Sequence, residues 1–194
     1  MSSEQYYQTH AQSFFENTYR VDMSSLHGLF CRYLPEGAWV LDAGCGSGRD
    51  SKVFIEKGFQ VDAFDASPAL AKLASGYAGI SVHTLRFEEF VSDLLYDGIW
   101  CCASLLHLPY SQLSEALLRL SKACKSGGVI YVSFKYGDQE RQVGERHFTD
   151  LNEDRLNTLI HSVSALRIEK CWTTADQRPD RDERWLNALL LKDS

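Results

Sequence analysis

Three glycines at alternate positions, directly after a short apolar run, constrain this chain more than any other feature of its sequence. Residues 38–43 are mostly apolar, and Gly44, Gly46 and Gly48 follow them. The run predicts a β-strand, and glycine permits positive φ angles with no Cβ between the main chain and a ligand. A helix is expected just after the glycines, with its free N–H groups at the turn. The sequence therefore predicts a strand–turn–helix unit for a nucleoside-type or phosphate-type ligand.

Two acidic residues and one arginine narrow the choice of ligand. The dinucleotide fingerprint is G-x-G-x-x-G/A, but here Arg49 occupies the position of the last glycine or alanine. Asp42 precedes the first glycine by two residues, and a carboxylate there repels a pyrophosphate but suits a cationic amino-acid group. Asp65 ends the next predicted strand about 20 residues beyond the turn, the separation that brings an acid onto ribose hydroxyls. The pattern disfavours a nicotinamide dinucleotide, and an NAD oxidoreductase stays open as an alternative.

The stretch Leu41–Gly48 resembles the first motif of the class I S-adenosylmethionine (SAM) dependent methyltransferases. The chain is similar to the tellurite-resistance-type and ubiquinone-biosynthesis-type small-molecule branches of that superfamily. The resemblance implies an α/β, Rossmann-like methyltransferase fold with three layers (α/β/α). Its seven-stranded mixed sheet would have the order 3-2-1-4-5-7-6, with the last strand antiparallel. We expect one domain over residues 1–194, with N-terminal lid helices in 1–37 and the core in 38–194.

Composition sets limits on size, partners and location. The chain has 194 residues, 44% of them hydrophobic, which suffices for one domain with a substantial core. A net charge of −6 argues against a protein that coats nucleic acid, but it leaves room for a small RNA site. The sequence shows no signal peptide and no apolar run of membrane length, so we expect a cytoplasmic protein without a membrane partner. The six cysteines lack C-x-x-C or Cys/His ligand spacing, so we expect reduced thiols and no metal site.

Strands and helices alternate along the predicted core. Ser67 and Pro68 predict the cap and first turn of one helix, and Thr149-Asp150 is expected to cap another. Residues 135–147 and 174–184 are polar and are expected to be loops that carry function. The predicted strands begin at about 38, 59, 80, 96, 129, 166 and 185, and the predicted helices cover about 3–19, 26–34, 48–57, 67–75, 111–124 and 149–162.

The resemblance also implies which residues contact the cofactor SAM and its product S-adenosylhomocysteine. The glycine turn would approach the methionyl part, Asp42 would receive the ammonium group directly or through water, and Asp65 would take the ribose hydroxyls. Residues after the third strand would clasp the adenine. The implied cofactor contacts are Asp42, Gly44, Cys45, Gly46, Gly48, Asp65, Ala66, Phe87, Glu88 and Ala103.

A second group of residues is predicted at the methyl acceptor. His107 follows the central strand and is the candidate general base, with a purely structural role as the alternative. Arginine forks suit carboxylate or phosphate groups, so an anionic acceptor is one hypothesis. The rival interpretation is a solvated surface whose charges pair with one another, because acidic residues are interleaved in the same loops. The candidate substrate contacts are Tyr7, Tyr19, Lys135, Arg146 and Arg178.

We therefore expect SAM-dependent transfer of a methyl group to a small acceptor, with a negative charge on that acceptor as a hypothesis. A tRNA-modifying methyltransferase is the first alternative, and a non-catalytic SAM-binding sensor or partner subunit is the second. Residues 103–106 lack the Asn/Asp-Pro-Pro-aromatic signature of amino-group methyltransferases of nucleic acids, which argues against DNA methylation. The sequence leaves the acceptor, its reacting atom and the oligomeric state open.

Overall fold

The computed structural model describes residues 3–178 and 181–193, in which helices alternate with strands. Within these residues the helices are α1 (Ser3–Thr9), α2 (Ala11–Thr18), α3 (Ser24–Cys31), α4 (Arg49–Glu56), α5 (Pro68–Ala78), α6 (Tyr110–Ala123) and α7 (Glu153–His161). The strands are β1 (Trp39–Ala43), β2 (Gln60–Asp65), β3 (Val82–Thr84), β4 (Tyr96–Cys101), β5 (Cys124–Lys135), β6 (Glu140–Val143), β7 (Arg146–Thr149), β8 (Leu166–Ala175) and β9 (Arg184–Lys192). Short 3-10 turns cover Phe87–Glu89 and Leu105–His107.

Seven of these strands form one sheet, in the order β3-β2-β1-β4-β5-β9-β8. Neighbouring strands are parallel except that β9 runs antiparallel to both β5 and β8. With the separate hairpin β6–β7 set aside, this is the predicted order 3-2-1-4-5-7-6, so the predicted fold is confirmed. The order reverses between β1 and β4, and in open α/β sheets ligands bind at the carboxyl ends of the strands at such a point.

Apolar clusters cover both faces of the sheet. Ile99 in β4 packs with leucines of α6 and α7 on one face. Its neighbour Trp100 packs with Phe30 of α3 and Phe54 of α4 on the other. Trp100 also stacks on Tyr131 of β5, with 3.9 Å between the ring centroids. Because successive side chains of a buried strand point to opposite faces, β4 joins the two helical layers and gives the predicted three-layer arrangement.

The N-terminal segment and the first late loop differ from the prediction. The helix predicted over 3–19 is two helices that meet at His10, where the backbone leaves the helical conformation. The loop predicted over 135–147 contains most of the antiparallel hairpin β6–β7, whose turn uses Gly144 at a φ of +59°. Most of β6 is exposed, so its sequence lacks the apolar alternation on which strand prediction depends.

One predicted helix cap is confirmed and one is wrong. The Ser67 hydroxyl accepts a hydrogen bond from the Leu70 N–H at the start of α5, as predicted. Helix α7 begins at Glu153 instead of near Thr149, because Asn152 provides the cap by accepting a hydrogen bond from a backbone N–H. Thr149 belongs to β7 instead.

The sequence predicts the absence of membrane-spanning helices, metal sites and disulfide bonds. No helix in the described part of the chain is long and apolar enough to cross a membrane. Among residues 3–178 and 181–193, no three His, Cys, Asp or Glu side chains come together as they would around a metal ion. All six cysteines are unpaired, with Cys101 and Cys124 buried and the other four partly exposed.

Candidate active site

A cavity of about 660 Å³ lies at the carboxyl ends of the central strands. Gly44, Gly46 and Asp65 line the part that we call the glycine end, and Lys135 and Arg146 line the part that we call the basic end. Side chains of α1 and α2 complete the wall. The volume falls in the range of about 300–1,000 Å³ that is usual for pockets enclosing small ligands.

The two glycines of the glycine end line the cavity and are packed too closely for side chains. Gly44 has a φ of +75°, and a Cβ at this position would come within 2.5 Å of the Ser104 Cβ. Gly46 has a φ of +56°, and a Cβ there would lie 3.2 Å from the Phe14 ring. The Ser104 hydroxyl is buried and has no hydrogen-bond partner among the described residues. Main chain in the cavity wall beside an unpaired hydroxyl fits the polar methionyl group that the sequence predicts at this turn.

Asp65 closes the glycine end from the tip of β2. Its Oδ2 accepts a hydrogen bond from the Gly46 N–H, and its Oδ1 accepts one from the Ser67 N–H, each at 2.9 Å. Burial raises the pKa of this carboxyl, and the two backbone hydrogen bonds oppose the rise. Each oxygen has a further lone pair for a ribose hydroxyl. The other predicted cofactor residues that line the cavity are Cys45, Ala66, Phe87, Glu88 and Ala103.

Two predicted cofactor residues do not line the cavity. Asp42 is only 2% exposed, and its Oδ2 accepts a hydrogen bond from the Ser51 hydroxyl at 2.6 Å. Burial, reinforced by the charge of Asp50, raises the pKa of Asp42 to about 8. Gly48 has a φ of +74°, and a Cβ there would lie 3.1 Å from the Ala74 Cα, so this glycine lets α5 pack closely. Asp42 and Gly48 thus lie outside the cavity wall, and their predicted cofactor contacts stay predictions.

A buried ion pair beside the glycine turn was missed by sequence reasoning. Asp50 accepts two hydrogen bonds from the Arg49 guanidinium at 2.8 Å, one from His27 Nε2 at 2.9 Å and one from the Trp100 indole at 2.9 Å. Burial alone would raise the pKa of Asp50, but the Arg49 charge and these hydrogen bonds hold it well below its usual range. Arg49 lines the cavity. The sequence signal for this ion pair is the adjacency of Arg49 and Asp50 directly after the last glycine.

Helix α1 is fixed to both sides of the cavity. The Ser3 hydroxyl accepts a hydrogen bond from the His147 N–H at 2.9 Å, and Gln8 Oε1 accepts one from the Ala69 N–H at 2.9 Å. These contacts join the hairpin β6–β7 to the start of α5 across the lid helix. Tyr19, a predicted substrate contact, does not line this cavity, and its carbonyl accepts a hydrogen bond from Tyr77.

His107 lies in the cavity wall between two hydrogen-bond partners. Its Nδ1 is 2.9 Å from the His147 carbonyl, and its Nε2 is 2.8 Å from the Tyr7 hydroxyl. Burial, opposed by the contact with the His147 carbonyl, lowers the pKa of His107 to about 4. The ring is therefore neutral near pH 7, and because a carbonyl only accepts, Nδ1 carries the proton. It follows that Nε2 accepts a hydrogen bond that Tyr7 donates.

Two of the three predicted cations at the basic end are paired within the chain. Lys135 forms an ion pair with Glu183. Arg178 donates two hydrogen bonds to Asp176, at 2.9 and 2.6 Å. For these two cations the structure agrees with the interpretation of a self-paired surface, although both side chains line the cavity.

Arg146 differs from these two cations. It takes part in no ion pair of the described residues, and its Nε is buried without a hydrogen-bond partner there. Its guanidinium lies 4.6 Å from the centroid of the Tyr6 ring and 5.2 Å from that of Phe148. The aromatic rings hold the cation in place by cation–π contact while leaving hydrogen-bonding capacity unused.

The chain belongs to the methyltransferase domain family, whose model matches residues 14–178. It is 35% identical over 128 residues to the malonyl-[acyl-carrier protein] O-methyltransferase of Serratia marcescens, covering 57% of this chain and 47% of that protein. It is 35% identical over 113 residues to the ubiquinone biosynthesis O-methyltransferase of Xanthomonas axonopodis pv. citri, covering 53% of this chain and 45% of that protein. The chain thus spans about half the length of the curated relatives it matches.

A solved structure shows the same fold. The 1,6-didemethyltoxoflavin-N1-methyltransferase of Burkholderia thailandensis, crystallised with 1,6-didemethyltoxoflavin and S-adenosylhomocysteine, superposes with a TM-score of 0.76 at 21% identity. The match covers 100% of this chain and 92% of that one. The predicted resemblance to methyltransferases and the predicted fold are both confirmed.

Proposed function

We propose that this protein is an enzyme that transfers a methyl group from SAM to a small anionic acceptor. The observation that carries the proposal is Arg146, whose Nε is buried without a hydrogen-bond partner among the described residues, in a cavity that the glycine turn also lines. A cation whose Nε is buried without a partner is costly unless a ligand supplies the missing acceptor atoms. A carboxylate or phosphate meets that need, and both suit the planar guanidinium fork.

The glycine end is the proposed place for SAM. The cofactor, when bound, supplies a methyl group already activated on a sulfonium sulfur, so the chain mainly has to bind and align. Main chain at Gly44 and Gly46, together with the unpaired Ser104 hydroxyl, would hold the methionyl part. Asp65 would accept hydrogen bonds from the ribose hydroxyls, and Phe87 and Glu88 would flank the adenine.

The basic end is the proposed place for the methyl acceptor. Lys135 and Arg178 line it, but Glu183 and Asp176 already offset their charges. Arg146 is therefore the cation with capacity to bind an anion, and we assign Lys135 and Arg178 to shaping the site around it. Both curated relatives named above are O-methyltransferases, which supports methyl transfer as the reaction. A cytoplasmic location stays a prediction from the sequence.

The test measures product formation, the KM for the acid and the Kd for SAM. The protein is incubated with methyl-labelled SAM and a panel of small carboxylic acids, and Arg146→Gln is compared with Arg167→Gln, whose arginine pairs with Glu169 on the exposed strand β8. We expect Arg146→Gln to raise KM for the acid about tenfold or more with an unchanged Kd for SAM, because only the acceptor loses a charge-assisted hydrogen bond. The control variant should match the wild type.

Two results would contradict this function. An unchanged KM in Arg146→Gln removes the anionic acceptor. Bound SAM with no labelled product from any acid favours the non-catalytic sensor instead. The tRNA-modifying alternative has its own signature, since retention on RNA that weakens steeply with salt would identify phosphate contacts.

A further inference from the structure

The geometry points to Tyr7 and His107 acting as a pair that takes the proton of the methyl acceptor, which makes the reacting atom a hydroxyl oxygen. This inference rests on the proposed function and specifies its substrate class. Tyr7 comes from the lid helix α1 and His107 from the turn after β4, yet their side chains meet at 2.8 Å in the wall of the cavity. Their rings also pack edge to face, with 5.2 Å between centroids.

The direction of proton movement follows from the hydrogen bonds. The His147 carbonyl fixes the proton of His107 on Nδ1, so the Nε2 lone pair points at Tyr7. Tyr7 donates to that lone pair, and of the two lone pairs on its own oxygen one faces the Arg146 guanidinium and the other is left for one further donor. An acceptor hydroxyl in the cavity can therefore donate to Tyr7, which completes a chain of hydrogen bonds from the acceptor to the His147 carbonyl.

Burial and the cations around the pair keep the histidine neutral and make it a weak base. Arg146 and His147 face His107 from β7, Lys135 faces it from β5, and Tyr7 faces it from α1. The charge of Asp65 acts on Tyr7, the other member of the pair. Burial raises the pKa of Tyr7, against the opposing effect of Arg146. An anion held by Arg146 would thus lie next to the Tyr7 hydroxyl.

The chemistry balances for a hydroxyl acceptor. As the oxygen forms its bond to the methyl carbon, the electron pair of the carbon–sulfur bond stays with sulfur, and the hydroxyl proton passes to the Tyr7 oxygen. The proton that Tyr7 carried passes to His107 Nε2, and the resulting imidazolium later releases a proton to water. A weak base suffices because an oxygen that has gained a methyl group holds its proton very weakly. The same base cannot deprotonate an ammonium group, whose pKa is about 10.

The experiment uses small acids in matched pairs that differ only in hydroxyl against aliphatic amino: glycolate with glycine, and 3-hydroxypropanoate with 3-aminopropanoate. We expect O-methylation of a hydroxy acid and no N-methylation of its amino partner. Tyr7→Phe keeps the ring and should lower kcat by about 100-fold, with an unchanged Kd for SAM. Tyr110→Phe is the control, because its hydroxyl donates to the Arg155 carbonyl and does not line the cavity. Preferential methylation of an amino acid partner, or an unchanged kcat in Tyr7→Phe, overturns the inference.

A second measurement separates this inference from the proposed function. A nitrogen-15 spectrum of the histidines in the whole chain needs neither SAM nor an acceptor. We expect His107 to be the neutral Nδ1–H tautomer at pH 7, with an Nε2 signal that shifts in Tyr7→Phe and not in Tyr110→Phe. The opposite tautomer, or an Nε2 signal that Tyr7→Phe leaves in place, overturns the pair even if the protein binds SAM and forms product.

Discussion

A Cβ on Gly44 would come within 2.5 Å of the Ser104 Cβ, so the turn after β1 and the segment after β4 approach one another with no room for a side chain. This contact lies where the strand order of the sheet reverses. The close approach also leaves the Ser104 hydroxyl buried and unpaired beside the turn. The shape of the glycine end thus depends on these two residues.

Gly44→Ala should lower both stability and affinity for SAM. Gly37→Ala is a matched control, because Gly37 also has a positive φ, +67°, but no atom within 4 Å of the added Cβ. The control should cost about 1 kcal/mol for the left-handed backbone alone. Gly44→Ala should cost more, because Ser104 must move as well, and calorimetry should show SAM binding weakened at least about tenfold.

The double variant Gly44→Ala/Ser104→Gly tests the cause of that loss. Removing the Ser104 side chain takes away the atoms that the new Cβ meets, so stability should return to about the level of Gly37→Ala. Denaturant unfolding of the wild type, Gly37→Ala, Gly44→Ala, Ser104→Gly and the double variant measures this. If Gly44→Ala lowers stability by the same amount in the wild type and in Ser104→Gly, the contact with Ser104 is not responsible for the loss.

The stability of the fold should depend on pH through His107. Its pKa in the folded chain is about 4, whereas an unperturbed histidine titrates near 6.5. Between these values the unfolded chain binds a proton that the folded chain does not, so the free energy of unfolding should fall as the pH drops from 6.5 towards 4. The contribution is up to about 3 kcal/mol. His107→Gln should depend less on pH in this window, and urea unfolding at pH 4.5, 5.5 and 7 checks it; identical slopes would contradict the prediction.

Asp176 should stabilise the end of β8 above acid pH. Burial opposes its ionisation, but the hydrogen bonds from Arg178 and the Trp185 indole outweigh burial and lower its pKa to about 2. Because the folded pKa lies below the unfolded one, this stabilisation is present above about pH 4 and is lost as the pH falls towards 2. Asp176→Asn should therefore cost about 1 kcal/mol at pH 7 and little near pH 2. Asp93 is exposed, so Asp93→Asn should cost nothing at either pH. If Asp176→Asn lowers the free energy of unfolding by the same amount at pH 7 and near pH 2, the ion pair is not responsible.

The glycine end could be predicted because its signals are local in sequence. Gly44, Gly46 and Asp65 lie on two neighbouring strand ends, and the βαβ connection between those strands fixes their relation. The same pattern could not show that Asp42 turns away to Ser51, since that choice depends on how α4 packs beneath the turn. The strand order was predictable by resemblance, because the alternation of strands and helices leaves few topologies open.

The basic end could not be predicted to the same depth because its contacts join distant parts of the chain. Whether an arginine is paired depends on the acid that the fold brings to it. Arg178 forms an ion pair with Asp176, two residues away, whereas Arg146 forms no ion pair in the described part of the chain. The placement of Arg146 also requires the hairpin β6–β7, which the sequence presents as a loop. The meeting of Tyr7 with His107, 100 residues apart, is visible only in the structure.

The central claim is that the glycine end binds SAM, and titration calorimetry tests it most directly. We predict one-to-one binding of SAM and of S-adenosylhomocysteine, with none for NAD. Asp65→Ala should cost about 1–3 kcal/mol of that affinity by leaving ribose hydroxyls unpaired, whereas Asp93→Ala should cost none. The absence of heat with either sulfur nucleoside, or binding that Asp65→Ala leaves unchanged, would contradict the account.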